Sequence, residues 1–158
     1  MTIRYQRVPV AQIDIADAAD VYEQSGLGVR RPMDDERRFK AMMRHANLIV
    51  AAYDGTRMVG IVRCLTDDCY VTYVSDLAVS FEYQRQGVGR GLLDEVARQI
   101  PGVKMVLLAA PDAREYYGKV GFEQHPSAWV REAAEPWERE KDVVHTIVVT
   151  QTDLAEDE

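Results

Sequence analysis

The chain has 158 residues, of which 47% are hydrophobic and 28% are charged, which is typical of a single globular domain. Its net charge of −7 argues against nucleic acid binding, because contacts to a phosphate backbone need a basic surface. No apolar run reaches the roughly 20 residues of a membrane span, and the first residues lack the order of a secretory signal. We therefore expect a cytoplasmic protein that binds neither nucleic acid nor membrane.

The first fifty residues predict one strand and two helices. Residues 2–10 alternate as a strand does, and Asp14 can cap a helix that runs to about Ser25. The run Gly26-Leu27-Gly28 ends that helix. Pro32 and Asp34 then precede a second helix with one apolar stripe.

The middle of the chain predicts an antiparallel meander. Two β-rich runs, residues 47–53 and 57–65, flank Asp54-Gly55-Thr56, and an Asp-Gly between such runs is a strong hairpin signal. A third β-rich run, residues 70–79, extends the meander. Together with the helices, these strands predict a mixed sheet with helices packed on its faces.

The second half predicts a further helix, strand and short helix. A glycine-rich turn opens an amphipathic helix that ends near Pro101, and the apolar run 103–109 reads as a central strand. A short helix is expected at 111–119 and a further strand from Gly121-Phe122. After Trp129 we expect a charged segment with a short helix interrupted by Pro136, then a strand at 143–150 and an acidic tail.

The glycine-rich turn at the start of that long helix predicts a phosphate site, because glycines there leave backbone N–H groups bare at the positive end of the helix dipole. A Walker loop needs Gly-x-x-x-x-Gly-Lys-Ser/Thr, which is absent. A dinucleotide fingerprint needs Gly-x-Gly-x-x-Gly after the first strand. Here Gly87-x-Gly89 lies in mid-chain, and Leu92 stands where the third glycine belongs.

Two motifs carry a family resemblance. Gln84-x-x-Gly87-x-Gly89 resembles the Gln/Arg-x-x-Gly-x-Gly/Ala signature of the GNAT family of N-acetyltransferases, and Tyr117 to Phe122 resembles its Tyr-x-Lys-x-Gly-Phe ending. The resemblance covers roughly residues 2–129. It implies an α/β fold of three layers, a mostly antiparallel mixed sheet flanked by helices, here with an extra C-terminal strand. Residues 1–130 would be the acetyltransferase domain and 131–158 a C-terminal extension.

The resemblance implies acetyl-CoA as the acetyl donor and no metal. Backbone N–H groups of the glycine turn would hold the pyrophosphate, where glycine permits close approach. The strand 70–79 would splay from the next strand, and the Leu77 N–H would face the thioester oxygen, where one such donor can be worth ~3 kcal/mol. The expected cofactor-binding residues are Leu77, Ala78, Val79, Gln84, Arg85, Gln86, Gly87, Val88, Gly89 and Arg90.

Transfer to an amine also needs an acid for the leaving thiolate and a base for the ammonium acceptor. Tyr117 matches the family tyrosine that donates to the sulfur, and the alternative is a packing role beside Tyr116. Asp76 is the candidate base, and the alternative is an ion pair or hydrogen-bond anchor. One departure is Ala110, which stands where the family often carries an asparagine.

The predicted function is therefore transfer of an acetyl group to a primary amine of a small molecule or peptide, by direct attack in a ternary complex. Arg30 and Arg31 favour an acceptor that also carries a carboxylate or phosphate, and a solvated pair is the alternative. Two other classes stay open: an acyl-CoA-binding sensor without catalysis, and an unrelated nucleotide-binding fold. The strand at 143–150 could pair across a homodimer.

Overall fold

A computed structural model describes residues 2–137 of the chain. The helices are α1 (Ile15–Ser25), α2 (Glu36–His45), α3 (Val88–Gln99) and α4 (Arg114–Lys119). The strands are β1 (Ile3–Val8), β2 (Leu48–Asp54), β3 (Arg57–Thr66), β4 (Val71–Val79) and β5 (Lys104–Leu107). They form one sheet in the order β1-β2-β3-β4-β5. Strands β1 to β4 are antiparallel, and β5 runs parallel to β4, with α3 as the crossover that a parallel pair requires.

Two apolar clusters lie on opposite faces of this sheet, which makes the fold three-layered as predicted. Alternate residues of β2 divide between them: Ile49 and Ala51 join the cluster of α1 and α2, while Val50 and Ala52 join that of α3. A strand whose successive side chains point to opposite faces reads as continuously apolar when both faces are covered. Within residues 2–137, no helix combines the length and the apolar character of a membrane span.

The helix ends show which polar residues act as caps. The Asp14 side chain accepts from the Asp17 N–H at 2.9 Å, and Gly26 ends α1 with a φ of 85°, as predicted. For α2 the cap is Asp35, which accepts from the Arg38 N–H at 3.1 Å. Pro32 and Asp34 precede this helix, as predicted.

Of two strand predictions in the second half, one is confirmed only in part and the other is wrong. The apolar run 103–109 forms only the four-residue β5, which is the edge strand of the described sheet and leaves Val106 45% exposed. Gly121-Phe122 starts no strand within the described residues. Instead Gly121 has a φ of 95°, and the Phe122 N–H donates to the Tyr117 carbonyl at 3.0 Å. This bond is the Schellman ending of α4, so these residues cap a helix.

The chain divides into two compact units between Glu123 and Gln124. The first contains every strand and helix of residues 2–137. Residues 124–137 of the second form neither helix nor strand, so the part of the predicted C-terminal helix that falls within them is absent, where the segment is exposed and has no apolar stripe. The predicted strand at 143–150 and the acidic tail lie outside the described residues.

Candidate active site

The sheet opens between β4 and β5. The two strands pair from Val71↔Lys104 to Val74↔Leu107, whereas β4 continues to Val79. Among the described residues, the second half of β4 therefore has a strand neighbour only on its β3 side. The β4–β5 pairing thus ends where the resemblance implies that the two strands splay.

A β-bulge lies at the start of this opening. Asp76 stands opposite Arg63 of β3, but the next residue of β3, Cys64, stands opposite Val74, so Ser75 is the extra residue. The bulge changes which face the following residues occupy. Val74 and Leu77 both pack on the α3 face, whereas Ala78 packs on the face of α1 and α2. Leu77 and Ala78 therefore point to opposite faces of the sheet.

The Asp76 carboxylate is buried, with 2% of the residue exposed, and both of its oxygens accept hydrogen bonds. Oδ2 accepts from the Tyr22 hydroxyl of α1 and from Arg63 Nε, each at 2.5 Å. Oδ1 accepts from Arg31 Nε at 2.6 Å. A buried carboxylate persists when it is paired and hydrogen-bonded in this way.

These partners set the protonation of Asp76. Burial by itself would raise the pKa of the carboxyl, but the charge and hydrogen bond of Arg63, with the Tyr22 hydroxyl and the Arg31 charge, hold that pKa below its ordinary value. A carboxylate with a lowered pKa and both oxygens occupied is a poor proton acceptor. Of the two roles considered for Asp76, the geometry therefore favours the ion-pair anchor over the base, a choice that awaits a kinetic test.

Arg31 is turned towards the protein. Besides Asp76, its guanidinium binds the Ser75 carbonyl through one terminal nitrogen at 3.0 Å and the Arg30 carbonyl through the other at 2.9 Å. All three nitrogens thus already donate within the chain, and the side chain is 25% exposed. This arrangement counts against Arg31 as a ready partner for an acceptor carboxylate.

The glycine turn lies after the end of β4 and has the backbone shape of an anion site. Gly87 precedes α3 with a φ of 83°, and Arg85 also has a positive φ, of 60°. The N-cap residue, Gly87, has no side chain to cap the helix, and its carbonyl accepts the first backbone bond, from the Gly91 N–H at 3.0 Å. The preceding N–H groups, those of residues 88–90, have no partner within the helix and suit a phosphate.

The glutamine side chains of the turn bind backbone carbonyls of the protein, unlike the backbone N–H groups at the start of α3. The Gln84 side-chain amide donates to the Val79 carbonyl at 2.8 Å and to the Ser25 carbonyl at 3.3 Å. The Gln86 amide donates to the Glu82 carbonyl at 2.9 Å. Gln84 therefore ties the turn to the ends of β4 and α1 and fixes where the N–H groups of α3 point.

Helix α4 places two tyrosines beside this site. A Cβ added at Gly89 would lie 2.5 Å from the Tyr116 hydroxyl, so glycine is needed for this close approach. Tyr117 is half-buried and makes edge-to-face contacts with Tyr116 and Phe122. Burial, with a smaller effect of Tyr116, raises the pKa of the Tyr117 phenol, which the Arg31 charge opposes. Tyr117 therefore keeps its proton at neutral pH, as an acid must.

Sequence patterns missed the partners of Asp76, although one signal for them was present. Arg63 interrupts the otherwise apolar run of β3, and a charged residue in a strand covered on both faces implies a buried countercharge. Tyr22 gave no such signal, since tyrosine is common in helix stripes. Residues 2–137 contain no cluster of His, Cys, Asp or Glu that could hold a metal ion.

Comparisons with known proteins identify the family of this chain. Residues 18–134 match the family model described as the acetyltransferase (GNAT) domain. An uncharacterized N-acetyltransferase of Porphyra purpurea is 25% identical over 105 residues, which are 62% of this chain and 59% of that protein. The chain thus spans less than two thirds of the length of this curated relative.

Solved structures show the same fold. A GNAT family acetyltransferase of Streptococcus pneumoniae superimposes with a TM-score of 0.61 at 23% identity, over 84% of this chain and all of that chain. An aminoglycoside acetyltransferase from an uncultured soil metagenomic sample, in complex with sisomicin, gives a TM-score of 0.58 at 14% identity, over 87% and 97% of the two chains. At these identities the likeness concerns the fold.

Proposed function

The protein belongs to the GNAT acetyltransferase family, and from that premise we propose that it transfers an acetyl group from acetyl-CoA to a primary amine. One observation carries the proposal: two features lie next to each other at the C-terminal half of β4. The first is the start of α3, where backbone N–H groups have no partner within the helix, and the second is the opening of the sheet between β4 and β5. The first suits the pyrophosphate of the donor, and the second suits its extended arm. Bound acetyl-CoA would supply an activated thioester as the acetyl source.

The residues of the turn and of β4 would hold the donor. The N–H groups of Val88, Gly89 and Arg90 would bind the pyrophosphate, with Gln84 fixing their direction. The backbone of Leu77 to Val79 would pair with the arm along the opening. The Leu77 N–H would donate to the thioester oxygen and stabilise the negative charge that develops there as the amine attacks.

Tyr117 would act as the acid. Its raised pKa keeps the phenol protonated at neutral pH, which is the state that a proton donor needs. As the C–S bond breaks, this hydroxyl would donate its proton to the sulfur. Asp76 would serve as an anchor, so the proton of the acceptor ammonium would leave to water.

Donor binding tests the first half of the proposal. We expect acetyl-CoA to raise the melting temperature of the purified chain, because a ligand at 100 times its Kd adds about 2.7 kcal/mol to the free energy of unfolding. ATP and NAD serve as matched nucleotides. A shift with either of them but none with acetyl-CoA would point instead to an unrelated nucleotide-binding site.

Catalysis is tested by release of free thiol with a panel of amines. We expect Tyr117→Phe to lower kcat by ~10²-fold, the usual effect of removing a general acid, while the affinity for acetyl-CoA is kept. Tyr70→Phe is the control, because Tyr70 is 67% exposed and its hydroxyl contacts Lys104 at the other end of β4. Tight acetyl-CoA binding with no turnover of any amine would favour the acyl-CoA sensor.

A further inference from the structure

Two arginines contact the β4 bulge from two sides, and each of them binds both Ser75 and Asp76. Arg63 donates to the Asp76 carboxylate at 2.5 Å and to the Ser75 hydroxyl at 2.7 Å. Arg31 donates to the other oxygen of Asp76 at 2.6 Å and to the Ser75 carbonyl at 3.0 Å. We call these four residues the arginine clamp. A planar guanidinium fork fixes its partners in direction as well as in distance.

The two halves of the clamp come from unlike parts of the fold. Arg63 lies within β3, directly opposite Asp76, and its side chain is only 10% exposed. Arg31 lies in the segment between α1 and α2, just after a 3-10 turn at Leu27–Arg30, and is more exposed. Arg63 is therefore held by the sheet, whereas the position of Arg31 depends on a connecting segment.

The bulge directly precedes Leu77, the residue whose N–H would contact the donor. Leu77 follows Asp76, and its peptide N–H belongs to the plane that begins at the Asp76 carbonyl. A rotation at Ser75 or Asp76 would turn this N–H, since the residues of a bulge set the direction of the strand after it. Of the contacts that fix the bulge, only those of Arg31 come from the α1–α2 segment among residues 2–137.

We propose that Arg31 is a positioning residue that couples the α1–α2 segment to the direction of the Leu77 N–H. The inference rests on the proposed function, which gives that N–H its role at the thioester. Any ligand that moves the α1–α2 segment would then alter the reaction centre through Arg31. Asp76 transmits the movement of Arg31 to the Leu77 N–H, while Arg63 holds the strand in its fold.

The kinetic test compares Arg31→Gln and Arg31→Lys with the control Arg98→Gln. Arg98 is an arginine in the last turn of α3 whose side chain is 73% exposed and pairs with Glu95 rather than with the bulge. We expect both Arg31 variants to lower kcat at least 10-fold while the Kd for acetyl-CoA changes less than 3-fold, and the control to stay within 2-fold of wild type. Lysine should fail because a single ammonium does not reproduce the fork.

Chemical rescue separates positioning from a general loss of structure. In Arg31→Ala, added guanidinium at millimolar concentration should recover part of kcat, whereas ammonium at the same concentration should not. A fall in kcat that tracks an equal loss of acetyl-CoA affinity, with no rescue, would overturn the proposal. So would wild-type kcat in both Arg31→Gln and Arg31→Lys.

A readout without turnover keeps the inference separate from the proposed function. The Leu77 amide resonance of the protein without ligands should move in Arg31→Gln and Arg31→Lys but not in Arg98→Gln. If wild type acetylates no amine, the proposed function fails while this comparison still decides the coupling. An unmoved Leu77 resonance in both Arg31 variants would show that the segment and the bulge are independent.

Discussion

Strand β4 joins two regions that are built in different ways. After its C-terminal end, the glycine turn offers backbone N–H groups at the start of α3, and positive φ angles set their direction. Midway along it, the bulge is held by side chains from α1, from the α1–α2 segment and from β3. The turn therefore depends on local conformation, whereas the bulge depends on charges brought together by the whole fold. Substitutions should separate the two.

The largest effect is expected at the bulge. Asp76→Asn would leave Arg31 and Arg63 without their shared countercharge, and breaking a buried ion pair costs about 3–5 kcal/mol. Denaturant unfolding should show this loss. Asp94→Asn makes the same change on the exposed side of α3 and should stay within about 0.5 kcal/mol of wild type. Equal stability of the two variants would mean that the clamp does not hold the fold.

Part of the stabilisation that Asp76 provides should be lost at acidic pH. Because the pKa of Asp76 is lower in the folded chain than in the unfolded one, its stabilisation is complete above the ordinary aspartate pKa of about 3.9 and falls as the pH drops through the folded value. Unfolding measured from pH 6 downwards should therefore show a steeper decline for wild type than for Asp76→Asn. Parallel curves would contradict the lowered pKa.

A smaller effect is expected at the turn. Gly87→Ala would force a side chain into a φ of 83°, where the space around it is open, so only backbone strain of about 1–2 kcal/mol should appear. Gly118→Ala is the matched control, because its added Cβ also meets open space and alanine is the better helix residue by about 1 kcal/mol. The two variants should change the free energy of unfolding in opposite directions.

The smallest effect on stability is expected at Gly89. A Cβ there would lie 2.5 Å from the Tyr116 hydroxyl, the far end of a side chain that can rotate away. We expect Gly89→Ala to keep the free energy of unfolding within about 0.5 kcal/mol and to weaken acetyl-CoA binding, measured by calorimetry. Unchanged affinity would place the pyrophosphate away from this helix turn.

The sequence predicted most of what depends on neighbouring residues. Asp14 at the start of α1, Gly26 at its end and the Asp54-Gly55 hairpin each act through contacts a few residues away, so a local pattern is enough. The glycine turn falls in the same class. The order of strands and helices along the chain also sufficed to predict the mixed sheet with helices on its faces.

The features that the sequence did not predict depend on contacts between residues that are far apart in the chain. Asp76 is 45 residues from Arg31 and 54 from Tyr22, and no spacing rule links such positions. The apolar run that became β5 was expected to be central, yet in the described sheet β5 is the edge strand and Val106 is 45% exposed. At Gly121 a strand was expected where the preceding helix needed a cap.

The partial pairing of β4 and β5 gives one strand two kinds of neighbour along its length. In its first half, both edges are satisfied by the chain itself. In its second half, only the β3 edge has a strand neighbour among residues 2–137. If the proposed donor binds along the other edge, acetyl-CoA should slow amide exchange in the second half of β4 and leave the first half unchanged.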